Sequence, residues 1–256
     1  MPAAREDVYT RYNMLRLLLT CEHGGNDIPQ AYVALFEGKE ELLQSHRGYD
    51  LGALELFHTI SSLADKCFSS TTSRLLVELN RSINHKDLFS ETTAPLPEPE
   101  KQQILKQYYK PYRGQVEEMV HDFVQAGRRV LHIAVHTFTP ELDGEVRDAD
   151  IGLLYDPKKE AAHEFCRSWK KLLLVHDSSL LVRFNYPYLG IADGFPTYLR
   201  RKFSEEQYIG IELEVNQKFV TSERHRWPDV QQALKLSLHE LLRQRRLYET
   251  QAEEED

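Results

Sequence analysis

Two histidines, His23 and His136, each follow an apolar run that is typical of a buried strand. His23 comes after residues 15–20, in the loop 21–26, and His136 directly follows residues 129–135. In a largely parallel sheet, ligands bind beyond the carboxyl ends of the strands, so we expect the two imidazoles at one edge. Two imidazoles and one carboxylate are the usual protein ligands of catalytic zinc, whose fourth position is left to water. The two histidines therefore predict a metal site that still needs a carboxylate.

Asp50 is the candidate for the carboxylate ligand. It precedes apolar residues at helical spacing between 51 and 63, so it is also predicted to cap the helix that they form. For Asp50 alone the cap is the simpler interpretation, and a single histidine at a strand end is more often structural than a ligand. His46 is the alternative to Asp50 as a metal ligand, although by itself it is more simply a surface residue. The conjunction of these groups favours a metal, because a shared cation removes the cost of burying ionisable groups without partners.

Glu212 and Glu214 lie in a predicted strand at residues 208–215. Because side chains alternate along a strand, the two carboxylates point to the same face. A solvent-facing stripe is the default explanation, but a central strand of a covered sheet has no solvent face. Glu214 is nearer the carboxyl end of the strand, and it is the candidate general base for a metal-bound water.

Arg74, Asn80 and Arg81 are the candidates for substrate binding. They belong to residues 73–81, which we predict to form a strand that is apolar inside and polar at its end. Arginine forms a planar pair with a carboxylate and a neighbouring asparagine adds a neutral donor, so Asn80 and Arg81 suit the free carboxylate of an amino acid. A surface ion pair with a nearby acid such as Glu78 is the alternative.

Two loops are expected to border the site. Residues 185–196 are rich in Gly, Pro and aromatic residues and are predicted to form a wall or lid, in which Asn185, Tyr186 and Tyr188 line the pocket and Asn185 binds the substrate. In the loop after the first strand, the pair at residues 24–25 is predicted to let the backbone approach a ligand closely, because both residues are glycine. This pair lacks the spacing of a phosphate-binding loop, and the chain contains no Gly-x-Ser-x-Gly nucleophile motif.

Strands and helices alternate along the chain, and most of the strands are apolar on both faces. This pattern predicts an α/β fold with three α/β/α layers, in which helices cover both faces of a mainly parallel or mixed sheet. Shorter strands are predicted near residues 67–70, 149–155 and 179–184. A helical stretch is expected to break in two at Pro111 and to end at Gly127.

We expect a single domain over residues 15–248, between an unpatterned arm at 1–14 and an acidic tail at 249–256. The formal net charge of -8 argues against a nucleic-acid-binding protein. Three scattered cysteines are too few for a disulfide framework or a cysteine zinc site, so histidine and carboxylate must hold any metal. Neither a membrane span nor a signal peptide is evident, and a cytoplasmic protein is therefore expected.

Five short motifs, in this order along residues 15–220, resemble the N-formylglutamate amidohydrolase family. They are Cys-Glu-His23-Gly-Gly-Asn, His46-x-x-x-Asp50-Leu-Gly-Ala, Ser-Arg74-Leu followed by Leu-Asn80-Arg81, Ala-Val-His136-Thr-Phe-Thr, and Glu-Leu-Glu214. The resemblance implies an α/β/α hydrolase fold akin to that of zinc carboxypeptidases. It also implies zinc-dependent hydrolysis of the N-acyl (N-formyl) amide of an amino acid such as glutamate. The order of motifs is similar to that of zinc-dependent cell-wall amidases as well.

By position, the resemblance makes three residues metal ligands and one residue the general base: His23, Asp50, His136 and Glu214. Asn80 and Arg81 match the pair that holds the substrate carboxylate in carboxypeptidase-like enzymes. The chain departs from the histidine-degradation enzyme of the family at Leu51 and Gly52, where that enzyme has a Trp-His pair. This departure leaves the acyl group and the amino acid open. A peptide or cell-wall amidase and a non-catalytic protein that binds an amino-acid-like ligand are the alternatives.

Overall fold

The computed structural model describes residues 15–254, with side chains described as far as residue 244. The predicted arm at 1–14 lies outside the described residues, as do the side chains of the predicted tail at 249–256. The strands are β1 (Arg16–Cys21), β2 (Lys66–Ser69), β3 (Val130–Phe138), β4 (Glu141–Leu142), β5 (Glu145–Val146), β6 (Ile151–Leu154), β7 (Val182–Phe184) and β8 (Tyr208–Asn216). The helices are α1 (Glu40–Gln44), α2 (Ala53–Ser61), α3 (Glu98–Ile104), α4 (Lys110–Gln125), α5 (Glu160–His176), α6 (Phe195–Arg200) and α7 (Trp227–Glu254).

Six strands form one mixed sheet in the order β2-β1-β3-β8-β6-β7. The pairs among β2, β1, β3 and β8 are parallel, β6 runs antiparallel to β8, and β7 is parallel to β6. All nine residues of β3 are buried, as the mainly apolar run predicts for a central strand that is covered on both faces. The carboxyl ends of β1, β3 and β8 therefore meet at one edge of the sheet.

Helices pack on both faces of the sheet, which confirms the predicted three-layer α/β/α fold. On one face, β-strand residues such as Leu19 and Ile133 form a core with Leu56 of α2, Trp169 of α5 and Leu234 of α7. On the opposite face, a smaller core joins the sheet to α4 and α6: Leu18, Val116, Val120, Val130, Phe195, Leu199 and Tyr208. No helix among residues 15–254 is long and apolar enough to cross a membrane.

The strand predicted at residues 73–81 is wrong, because this segment consists of turns and irregular backbone. Its apolar side chains are nevertheless buried, in a separate cluster that packs under the loop: Leu75, Leu76, Val77 and Leu79, with Tyr32 and Ile104 among their neighbours. A short apolar run fits a buried loop as well as a buried strand, and its periodicity does not separate the two.

The helix after Asp50 begins later than predicted. Gly52, with φ +85°, is the N-cap of α2, and no side chain caps the helix, so the predicted capping by Asp50 is wrong. A Cβ on Gly52 would lie 2.6 Å from Cγ2 of Val220. The chain therefore turns sharply here, and the Asp50 side chain is free to point elsewhere.

Pro111 does not separate two independent helices. A π-helical turn (Leu105–Tyr109) connects α3 to α4, and Pro111 occupies the first turn of α4. The wider turn in front of the proline accommodates its missing N–H and the bulk of its ring, so the helical path continues. Gly127 follows the end of α4 with φ +70°, as predicted for a C-terminal cap.

Candidate active site

His23, Asp50 and His136 come together although they are far apart in the sequence. All three side chains are buried, and one potential ligand atom from each lies within 4.8 Å of the other two. Asp50 Oδ2 is 3.3 Å from Nδ1 of His23 and 2.9 Å from Nδ1 of His136. The two imidazoles and the carboxylate thus converge as the sequence predicts. His46 lines the same cavity but does not belong to this cluster.

Gly24 and Gly25, in the loop after β1, have a different role from the predicted approach to a ligand. A Cβ on Gly24 would lie 2.9 Å from the carbonyl oxygen of Ser70, and one on Gly25 would lie 2.8 Å from Cβ of Thr71. These glycines are required because the loop packs closely against residues 70–71, and neither lines the cavity. The tight packing fixes the position of His23.

Each imidazole has a glutamate on its far side. Glu78 Oε1 contacts Nε2 of His23, and Glu22 Oε2 lies 3.3 Å from Nε2 of His136. Both glutamates are buried. A carboxylate on one ring nitrogen orients the imidazole and makes the other nitrogen a better metal ligand. Both histidines therefore present Nδ1 to the centre of the cluster.

Glu22 and Glu78 were missed as site residues. Glu78 entered the sequence interpretation only as the partner of a surface ion pair, whereas in the structure it is 5% exposed. Their positions in the sequence could have indicated them. Glu22 directly precedes His23, and Glu78 lies two residues before Asn80, and both neighbours were predicted for the site. A glutamate in such a short polar segment is not distinguishable by type from a solvated one.

Arg74 lies between two carboxylates of the cluster. Its Nε donates to Glu78 Oε2 at 2.8 Å, and its Nη1 donates to Asp50 Oδ1 at 3.3 Å. The sequence predicted that Arg74 binds the substrate, but these bonds direct its guanidinium to the protein's own acids. Burial alone would raise the pKa of Glu78 and of Asp50. Arg74 and His23 nevertheless hold the pKa of Glu78 well below its usual range. His23 and His136 likewise hold the pKa of Asp50 well below its usual range.

The charges in this cluster suit a divalent cation. Burial lowers the pKa of His136, but Asp50 and Glu22 outweigh burial and raise that pKa well above its ordinary value. The histidine thus holds a proton where the surrounding acids require positive charge. Neutral imidazole nitrogens and a carboxylate oxygen are the donor set of zinc, and a metal ion can replace that proton. The residues present therefore fit one divalent metal ion.

Glu214 faces the cluster from the adjacent strand. Its register partner on β3 is His136, and its Oε2 is buried without a hydrogen-bond partner among the described residues. Burial raises the pKa of Glu214 to about 8, an effect that His136 opposes and that Asp50 and Glu212 reinforce. A carboxylate with its pKa near neutrality is suited to accept and return a proton.

Asn80 and Arg81 both line the cavity, as the sequence predicts. Asn80 Oδ1 accepts a hydrogen bond of 2.6 Å from the backbone N–H of Phe195, which leaves the NH₂ group of Asn80 available to a ligand. Arg81 Nη1 donates to the backbone carbonyl of Asp193. The other guanidinium donors of Arg81 make no hydrogen bond to any described residue.

The loop after β7 forms part of the cavity wall, and Tyr188 and Leu189 line it. Asn185, which was predicted to bind the substrate, does not line the cavity. Its Oδ1 accepts hydrogen bonds from the backbone N–H groups of Tyr155 and Gly190, each at 3.0 Å. Asn185 therefore holds the shape of the loop, which explains why a polar residue occurs there without contacting the cavity.

The chain matches the family model of N-formylglutamate amidohydrolase over residues 15–221. The chain belongs to this family. A gene product of Agrobacterium tumefaciens with a solved structure is 26% identical, with a TM-score of 0.73 and 90% of each chain covered. The N-formylglutamate amidohydrolase of Ralstonia eutropha JMP134 is 16% identical, with a TM-score of 0.64 over 91% of this chain and 94% of that chain. A search of curated proteins finds no match.

Membership of the N-formylglutamate amidohydrolase family confirms the resemblance seen in the five motifs. It makes the chain a hydrolase of the amidohydrolase type. The matched residues include the whole cluster of His23, Asp50 and His136, together with Glu214. The cavity described above is accordingly the candidate active site of this family member.

Proposed function

We propose that this member of the N-formylglutamate amidohydrolase family is a metal-dependent enzyme that hydrolyses the amide of an N-acyl amino acid. The observation that supports this most strongly is the buried cluster of His23, Asp50 and His136 facing Glu214, whose Oε2 has no hydrogen-bond partner in the described part of the chain. Zinc is the expected ion, because two imidazoles and one carboxylate are its usual ligands in hydrolases. N-formylglutamate is the first substrate to test, since the family carries its name.

Glu214 is the proposed general base and general acid. A divalent ion held by His23, Asp50 and His136 supplies Lewis acidity, which polarises the scissile carbonyl and acidifies water. Glu214 accepts a proton from the attacking water and then delivers it to the nitrogen of the leaving amine. Burial keeps the pKa of Glu214 high enough for the second transfer. Arg74 holds Asp50 in place through its hydrogen bond to Oδ1.

Arg81 and Asn80 are proposed to bind the free α-carboxylate of the substrate. A guanidinium and an amide NH₂ side by side offer donors to both carboxylate oxygens. Fixing the carboxylate orients the amide carbonyl toward the metal site and Glu214, which converts a bimolecular encounter into a positioned reaction. Arg74 is left out of this role because its donors already serve Glu78 and Asp50.

The test is hydrolysis of a panel of N-formyl and N-acetyl amino acids, with metal quantified in the same sample. We expect hydrolysis that stops when a chelator removes the metal and returns when zinc is added. Glu214→Gln should retain the metal and lose turnover by at least about 100-fold. Hydrolysis that persists without metal would contradict the proposal. Ligand binding without turnover, unaffected by the chelator, would identify a non-catalytic binding protein, and cleavage of peptide amides alone would identify a peptide amidase.

A further inference from the structure

Glu212 is a carboxylate in the cavity that the proposed reaction does not use. It lies two residues before Glu214 on the same face of β8, and both side chains line the cavity. Along a strand this separation is about 7 Å, so Glu212 sits one row further from the carboxyl edge than the base. Its register partner on β3 is Ala134, whose small side chain leaves space beside the side chain of Glu212.

No hydrogen bond or ion pair within 4.0 Å reaches the Glu212 carboxylate from the residues that the structure describes. The neighbouring guanidiniums serve other acceptors: Arg200 donates to the carbonyls of Gly190 and Gly210, and Arg81 donates to that of Asp193. Burial raises the pKa of Glu212, and the more distant charges of His136 and the arginines only partly offset it. Glu212 is half-buried, and a carboxylate that is partly removed from water without a partner is stabilised by a donor on a ligand.

The loop before α6 approaches this carboxylate at Gly194. A Cβ on Gly194 would lie 2.9 Å from Oε1 of Glu212, so a side chain at this position would displace the carboxylate. The same point is 3.5 Å from Oδ1 of Asn80. Glu212 therefore lies near Asn80, which is proposed to help hold the α-carboxylate of the substrate.

We propose that Glu212 recognises a positively charged side chain, so that the enzyme prefers N-acyl derivatives of a basic amino acid, such as lysine or arginine, over those of glutamate. This inference rests on the proposed amidohydrolase function and names its substrate class. An ammonium or guanidinium group pairs with Glu212, a neutral side chain leaves the carboxylate unpaired, and an acidic side chain is repelled by it. The α-carboxylate of each substrate occupies Arg81 and Asn80 in the same way.

The test compares N-formyl-lysine with N-formyl-norleucine, which has a neutral side chain of similar length, and with N-formylglutamate. In the metal-loaded wild-type protein we expect kcat/KM for the lysine derivative to exceed both others by at least about tenfold. In Glu212→Gln the ratio of lysine to norleucine should fall by about tenfold. Equal kcat/KM for the three substrates in the wild type overturns the proposal, as does a preference for glutamate.

Two further variants separate recognition from a structural role. Gly194→Ala keeps the charge of Glu212 but places a methyl group against its carboxylate, so the lysine-to-norleucine ratio should fall here too. Glu118→Gln changes an exposed glutamate on α4 and should leave the ratio as in the wild type. If Glu212→Gln lowers kcat/KM equally for all substrates, Glu212 supports the fold of the cavity and the proposal is wrong.

A binding measurement distinguishes failure of this inference from failure of the proposed function. If no N-formyl amino acid is hydrolysed, the proposed function fails, and calorimetry on the Glu214→Gln protein decides the charge preference. Binding of N-acetyl-lysine about tenfold tighter than N-acetyl-norleucine, with the difference lost when Glu212→Gln is added, supports recognition by Glu212. Equal affinities, or binding of neither compound, overturn it.

Discussion

At the scale of single residues, the site consists of imidazoles held between carboxylates. Three acids and one guanidinium surround the two histidines: Glu22, Asp50, Glu78 and Arg74. With both imidazoles neutral, this group carries two negative charges in a buried place, which is the charge that one divalent cation neutralises. In the absence of a cation His136 holds a proton instead, as its raised pKa indicates.

The outer carboxylates should control metal affinity. Glu22→Gln and Glu78→Gln each replace the carboxylate behind one imidazole with a neutral amide, and we expect each change to weaken zinc binding by about 10- to 100-fold. Competition with a chelator of known affinity measures the change, and circular dichroism of the metal-free variants checks that they remain folded. Glu118→Gln, at an exposed position, should bind zinc like the wild type. Unaltered affinity in both buried variants would contradict the role given to these glutamates.

The raised pKa of Glu214 makes the stability of the metal-free protein depend on pH. The folded state keeps the Glu214 proton up to a pH of about 8, whereas the unfolded chain loses it near the ordinary value of 4.5. Between these values the folded state binds the extra proton, so the contribution of this group to stability falls as the pH rises. Glutamine does not titrate. We therefore expect Glu214→Gln to gain stability relative to the wild type between pH 5 and pH 8.

Urea unfolding of both metal-free proteins at the two pH values measures this gain. Glu118→Gln, at an exposed position on α4, is the control substitution. A pH-independent difference between Glu214→Gln and the wild type would mean that Glu214 ionises normally in the folded protein.

At the scale of elements, an irregular segment supplies as many site residues as any strand. The loop at residues 73–81 is held by the buried leucines beneath it and by hydrogen bonds at both ends. Ser73 Oγ donates to the carbonyl of Gly48 at 3.0 Å, and Arg113 Nη1 donates to the carbonyl of Leu79 at 2.8 Å. These contacts give a loop the fixed geometry that a catalytic site requires.

A substitution at Gly52 should disturb the turn that follows Asp50. Alanine at this position is strained by the positive φ of +85°, and its Cβ would lie 2.6 Å from Val220. We expect Gly52→Ala to lower the free energy of unfolding by about 2 kcal/mol or more, and to weaken metal binding because Asp50 is two residues away. Gly38→Ala is the matched control, since Gly38 has φ +73° but no neighbour within 4 Å of a Cβ.

Denaturant unfolding of the two alanine variants separates the backbone strain of a positive φ from the steric contact with Val220. Gly38→Ala should lose only the strain of about 1 kcal/mol, and it should bind zinc normally. Equal losses in the two variants would show that the contact with Val220 is unimportant. Normal metal binding by Gly52→Ala would show that this turn does not position Asp50.

The elements that the sequence predicted correctly are those with a strong local pattern. The central strands were located because they are apolar on both faces, and α2 because its apolar residues recur at helical spacing. The strand ends then predicted His23, His136 and Glu214 as neighbours. The loop at residues 73–81 was misassigned because its apolar run packs on a second cluster that no local pattern reveals.

At the scale of the whole molecule, helices on both faces leave the carboxyl edge of the sheet open. The cavity lies at the ends of β1, β3 and β8, where three parallel strands stop together. The site residues depend on this edge, because His136 and Glu214 are register partners and His23 follows the neighbouring strand. Their convergence could be predicted from strand direction. The contacts of Glu22, Glu78 and Arg74 could not, since they depend on which loops fold over the edge.

The metal content of three proteins tests the central claim most directly. Elemental analysis of the wild type, His136→Ala and Glu214→Gln, each reloaded with zinc and dialysed, should give about one ion per chain for the wild type and for Glu214→Gln. His136→Ala should retain less than about a tenth of that amount, because it removes one of three protein ligands. A full complement of zinc in His136→Ala would contradict the assignment of His23, Asp50 and His136 as the metal centre.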